Sequence, residues 1–149
     1  MRIIKWIIIA LAAMSTCAQA NCWSKAGEDH HVDPWLLLAI AQVESGMNPN
    51  AINKNNDGTH DIGLMQINSI HLPTLARRGI TQKRLVNEPC VSIMVGASIL
   101  SDMINVYGNN WQAVGAYNAG LKKDRYKQRM KYARKVWNKY QQIKPNAPK

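Results

Sequence analysis

Apolar residues recur at helical spacing along most of this chain, and one polar, turn-rich stretch interrupts them. The first strong run is Trp35-Leu36-Leu37-Leu38-Ala39-Ile40-Ala41-Gln42-Val43. It is apolar nearly all round, the mark of a buried helix. Asp33-Pro34 opens it with an N-cap oxygen and a proline at the first helical position, and Gly46 ends it. Asn53 to Gly58 is polar, with Asp57-Gly58 a tight-turn signal, and Thr59 to Asn68 reads as a small β-hairpin. Ser69 is placed to cap a brief helix ending near Arg78-Gly79. A longer helix is predicted from Pro89 to just before Gly108, burying Ile93, Ala97, Leu100 and Ile104. Trp111 to Tyr117 forms another short helix. The last runs from about Asp124 to Ile143, with Tyr126, Met130, Ala133, Trp137 and Tyr140 on one stripe, and Pro145 stops it. The expected fold class is mainly α: a single globular helical domain with a small β-hairpin.

The N-terminus obeys a different rule. Arg2 and Lys5 precede an apolar run from Trp6 to Met14, and the segment closes on Ala18-Gln19-Ala20. That is the layout of a cleaved secretory signal peptide over residues 1–20, too short for an ordinary membrane span. Cys17 raises a lipoprotein reading, but Met14-Ser15-Thr16 before it fits poorly. The expected organisation is a signal peptide at 1–20, one domain over 21–144 and a short tail at 145–149. Export to the periplasm is the corresponding expectation.

Removal of the signal changes the cysteine and charge arithmetic. Cys17 is lost, so Cys22 and Cys90 remain as an even pair in an oxidising compartment and are expected to form a disulfide. Two cysteines and scattered histidines show no ligand spacing, so a zinc site is not expected. The formal charge is +10 for the whole chain and near +8 once Arg2 and Lys5 leave with the signal, and Leu121 to Lys149 carries eleven Lys or Arg residues against one acid, Asp124. A polyanionic partner suits such a surface, whether cell wall, anionic lipid or nucleic acid. No nucleic-acid module is present to favour the last. Nothing in the pattern asks for an obligate oligomer, so a monomer is expected.

Among the acids, Glu44 does not fit its surroundings. It falls in register with Leu37, Ile40 and Ala41, on the buried stripe of a buried helix. Burial there holds a carboxyl protonated to higher pH, the state that protonating a glycosidic oxygen requires. The plainer reading is a side chain bonded to the loop after Gly46. Asp33, Asp57 and Asp124 are explained by a cap, a turn and a helix start, and Glu88 by the start of the next helix. Glu28, Asp29 and Asp102 read as solvated charges. Asp61 remains: a hairpin could aim it across a cleft, or it could be a loop aspartate bonding its own backbone.

Three stretches occur in order: Glu44-Ser45-Gly46, Gly63-Leu64-Met65-Gln66-Ile67-Asn68 and Ala116-Tyr117-Asn118-Ala119-Gly120. Together they resemble the lytic transglycosylases of the soluble-transglycosylase, goose-lysozyme-like superfamily. The likeness is strongest to small exported members that accompany type III and type IV secretion systems and conjugative pili, and it extends from Cys22 to about Tyr140. The resemblance implies a lysozyme-like α-fold with a sugar-binding groove and Glu44 as catalytic acid and base. It also implies a groove lined by Ser45, Gly63, Leu64, Met65, Gln66 and Asn68, with Tyr117 and Asn118 brought to the sugar and Tyr132 near the acid. The side chains suit this: Gln66 and Asn118 offer amides for sugar hydroxyls and N-acetyl groups, while Met65 and Tyr117 offer apolar surface. Taken alone, Met65 reads as core filling, Gln66 and Asn68 as satisfying strand ends, and Gly63 and Gly120 as turn glycines.

The implied reaction is non-hydrolytic cleavage of the β-1,4 bond between N-acetylmuramic acid and N-acetylglucosamine in peptidoglycan, leaving a 1,6-anhydromuramyl end and needing no metal or cofactor. Its implied partners are glycan strands and components of a secretion or pilus apparatus. Two alternatives stand beside it: a lysozyme-type muramidase, in which Asp61 would supply the second carboxylate, and a non-catalytic wall-binding assembly protein.

Overall fold

The computed structural model describes residues 21–145, so the signal segment and most of the tail lie outside the described residues. Residues 21–30 are helical (α1), an element the hydrophobic pattern did not announce. Helix α2 spans Pro34–Ser45 and is capped as expected: Asp33 accepts from the Trp35 N–H, and Gly46 closes the helix in the left-handed region. Leu37, Ala39, Ile40 and Ala41 are fully buried. Cys22 and Cys90 form the expected disulfide, which closes a 68-residue separation with Cα atoms 5.5 Å apart.

The hairpin has a third strand. β1 (Ile52–Lys54), β2 (His60–Ile62) and β3 (Ile67–Asn68) form an antiparallel sheet in that order. Asp61 pairs with both Asn53 and Asn68. Gly63 starts the four-residue connection from β2 to β3 at φ 74°. A Cβ there would lie 2.6 Å from the Leu85 carbonyl oxygen, so backbone conformation and space both require glycine.

Asn68, not Ser69, caps the next element. Its side chain accepts from the Ile70 N–H at the start of a 3-10 turn (Ser69–His71) that leads into α3 (Leu72–Ala76). The Ser69 hydroxyl is occupied elsewhere, accepting from the His60 N–H across the sheet. Helix α4 (Gln82–Asn87), capped by Thr81, was not foreseen. Helix α5 (Pro89–Tyr107) buries Ile93, Ala97 and Leu100, with Ile104 packed against them.

Helix α6 (Trp111–Ala119) packs against α5 and α7 (Tyr126–Ile143), and α7 also packs along α2. Gly115 makes the α6–α7 approach possible, since a Cβ would collide with the Arg129 backbone. The phase of α7 differs from the sequence expectation. Its buried face is Arg129, Tyr132, Ala133 and Val136, whereas Tyr126 is exposed. Arg129 takes the inward place because its guanidinium donates to the Gly120 and Lys122 carbonyls and sits over the Tyr107 ring. Trp137 and Tyr140 flank this face and pack with Trp111.

Candidate active site

Glu44 occupies the last turn of α2, where the helix leaves the core. From α7, the Tyr132 hydroxyl donates to Glu44 Oε1 at 2.6 Å. Desolvation pushes the Glu44 pKa up to about 7, and the negative charge of Asp61 adds to the rise. Tyr132, Asn118 and the more distant Lys135 oppose it. Near neutral pH this carboxyl therefore populates both protonation states, as a group that first gives and then takes a proton must.

The three motifs meet at the backbone of residues 64 and 65. The Ser45 hydroxyl donates to the Leu64 carbonyl at 2.7 Å, and the Tyr117 hydroxyl donates to the Met65 carbonyl at 2.8 Å. The Met65 N–H donates to the Ser92 hydroxyl at 3.1 Å. These bonds fix the positions of α2, the sheet and α6 relative to one another. They also correct part of the groove expected from the sequence. Leu64 and Met65 are 1% and 0% exposed, so their side chains fill the core and meet no sugar. Met65 packs against Gly96, whose missing side chain leaves the room. Gly63 is buried beneath the turn, and the Ser45 hydroxyl is engaged in holding it.

A cleft of about 370 Å³ opens beside Glu44, and Asp61, Gln66, Asn68, Tyr117 and Asn118 are among the residues that line it. Gln66 has its amide committed to protein: Nε2 donates to the Gly63 and Ala51 carbonyls, and Oε1 accepts from Asn53. It acts as a brace for the turn, which also explains its strained φ of 52°. Asn68 is committed likewise, donating to Asp61 Oδ1 and Thr59. Asn55 donates to Asp61 Oδ2 at 3.1 Å, so both oxygens of Asp61 are held by side-chain amides. Tyr117 presents its ring to the cleft. Burial lifts its phenol well above the ordinary range, with Glu44 and Asp61 adding, so it stays a neutral donor. The same holds for Tyr132.

Sequence reasoning missed four groups that line this cleft: Asn55, His71, Ile99 and Arg125. His71 lies at the end of the 3-10 turn, and burial lowers its pKa against the pull of Asp102. Asn55 was hidden in a stretch read only as a turn, and it lies just past the end of β1. Asp57 also lines the cleft while making its turn, accepting from the Thr59 N–H and hydroxyl. Among the described residues, no group of three His, Cys, Asp or Glu side chains gathers to hold a metal.

The transglycosylase SLT domain model matches residues 21–140. The chain belongs to this family. Invasion protein IagB of Salmonella typhimurium is 50% identical over 138 residues, covering 93% of this chain and 86% of the relative. Protein IpgF of Shigella flexneri is 40% identical over 139 residues, covering 93% and 91%. The solved structure of an inactive mutant of lytic transglycosylase Slt from Pseudomonas aeruginosa superposes with a TM-score of 0.64 at 25% identity, covering 89% of this chain and 25% of that longer one. The helical domain with its three-stranded sheet is thus the lysozyme-like fold of these enzymes. By family and fold the protein is a peptidoglycan lytic transglycosylase.

Proposed function

We propose that the protein cleaves the MurNAc-β-1,4-GlcNAc bond by acid–base catalysis at Glu44 and leaves 1,6-anhydromuramyl ends. The observation that carries this reading is a single half-buried carboxyl, poised near neutrality, fixed by Tyr132 and facing an amide-held Asp61. Glu44 gives its proton to the glycosidic oxygen as the C1–O bond breaks. The positive charge developing at C1 is stabilised by Asp61, which stays in place because Asn55 and Asn68 hold both its oxygens. The sugar's own 6-hydroxyl then bonds C1 and returns its proton to Glu44. Charge and protons balance, and water takes no part.

Export through a signal peptide cleaved after Ala20 and action as a monomer in the periplasm complete the reading. The likeness to a protein named for invasion supports a role in opening the wall locally for a secretion or pilus apparatus. The test is mass spectrometry of soluble products released from isolated peptidoglycan. Muropeptides lighter by one water than hydrolytic products, and absent with Glu44→Gln, are expected. Products with free reducing ends would make the enzyme a muramidase.

A further inference from the structure

Charge is segregated about Glu44. On the sheet side, the cleft carries Asp57 and Asp61, with Arg125 at its margin. On the α7 side, a second concavity of about 330 Å³ begins at Glu44, Asn118 and Tyr132 and continues past Arg125, Lys131 and Lys135. Glu44 is the only carboxyl among the described residues lining this second space, and it is partly protonated near neutrality. The ion pairs among the described residues are Lys25–Asp29, Arg84–Glu88 and Lys144–Asp33, so Arg125, Lys131 and Lys135 have no carboxylate partner there. Lys131 and Lys135 stand one turn apart on the same face of α7, with Gln128 about one turn before Lys131. A glycan strand drawn across Glu44 passes beside these cations; its pyranose rings are uncharged, and its anionic groups are the carboxylates of the muramyl substituents.

We propose that the Arg125–Lys131–Lys135 wall is a subsite for the carboxylate-bearing peptide stem of the glycan strand, so that the enzyme selects stem-carrying over denuded strands. The inference rests on the proposed function, in which a peptidoglycan strand lies across Glu44. It divides the groove by chemistry: the acidic half faces the positive charge of the breaking bond, and the basic half faces the anionic substituent. Each contact is exposed and modest, so the subsite sets preference more than total affinity.

The experiment measures binding, by calorimetry, of the Glu44→Gln protein to soluble glycan strands with intact stems and to the same strands stripped by an amidase, which keep only the lactyl carboxylate of each muramyl residue. The ratio of the two Kd values is compared with that of proteins also carrying Lys131→Gln and Lys135→Gln. Stemmed strands should bind more tightly, and the paired Gln substitutions should reduce that preference about tenfold. Lys131→Arg with Lys135→Arg should keep it, and added salt should erode it. An unchanged ratio in the Gln variants, or equal binding of both strands from the outset, overturns the subsite. Failure of the catalytic reading would show separately, as absence of cleavage by the unsubstituted protein on either strand.

Discussion

Tyr132 donates its hydroxyl to Glu44 Oε1 at 2.6 Å across 88 positions of sequence, and the bond joins α7 to the end of α2. The same two helices are clamped at their other ends, where the Tyr140 hydroxyl and the Lys144 ammonium both reach Asp33 Oδ2 at 2.6 Å. The helices therefore run antiparallel with a polar fastening at each end of α2, and the Glu44 carboxyl is one half of one fastening. Orientation and acidity of Glu44 are set together.

Tyr132→Phe separates the two. It removes a bond that favours the charged carboxylate, so the Glu44 pKa rises above about 7. The pH profile of kcat/KM should shift its ionisation upward, and the rate at the optimum should fall about tenfold as the carboxyl loses its fixed orientation. A profile superimposable on the parent's would remove Tyr132 from the mechanism.

Linkage makes Glu44 a stability liability at alkaline pH. Its pKa is raised in the folded state to about 7 from an ordinary 4.5, so the folded protein holds that proton more tightly than the unfolded chain. Its contribution is therefore fully favourable below pH 4.5 and is lost as pH rises through 7. Above that, the buried charge costs on the order of 3 kcal/mol. Glu44→Gln should melt at higher temperature than the parent at pH ~8, and the gap should close as pH falls toward 4.5. Thermal melts across that range settle it, and a gap independent of pH contradicts the assignment.

Asp61→Asn removes the charge and leaves one of the two amide donors, Asn55 or Asn68, facing an NH2 group. Loss of electrostatic support at C1 should lower kcat about a hundredfold. The Glu44 ionisation should also move down, because the repelling charge is gone. Activity within about twofold of the parent, below ~0.4 kcal/mol of barrier, would exclude Asp61 from the chemistry.

The Cys22–Cys90 bond ties α1 to the start of α5 and constrains a long unfolded loop. Replacing both cysteines by serine should cost about 4 kcal/mol in a denaturant titration by the chain-entropy account. A loss below about 1 kcal/mol would mean that the unfolded chain is already constrained there.

Much of the fold was legible, and for physical reasons. Asp33-Pro34 and Gly46 bound α2 because caps act locally, and Glu44 stood out because its carboxyl is in phase with Leu37, Ile40 and Ala41 on a buried stripe, although the helix alone also allowed a bond to the loop after Gly46. The features that escaped the sequence depended on tertiary partners. Met65 looked suited to a sugar face, yet Gly96 opens a place for it in the core. Arg129 is 2% exposed on the inward face of α7, a site that periodicity assigns to an apolar residue. The loop carbonyls of Gly120 and Lys122, together with the Tyr107 ring, make that burial tolerable. Gln66 was expected to offer its amide to the sugar and Asn68 to line the groove, but the side-chain amides of both are committed to the turn, Thr59 and Asp61.

The central claim is that the sugar's own 6-hydroxyl, not water, captures the cleaved centre after Glu44 has protonated the leaving oxygen. Digestion of peptidoglycan in water enriched in heavy oxygen tests it most directly, by mass spectrometry of the newly formed muramyl ends. The account predicts ends that carry no heavy oxygen and do not form when Glu44 is replaced by Gln. One heavy oxygen per new end would contradict it and establish hydrolysis at the same site.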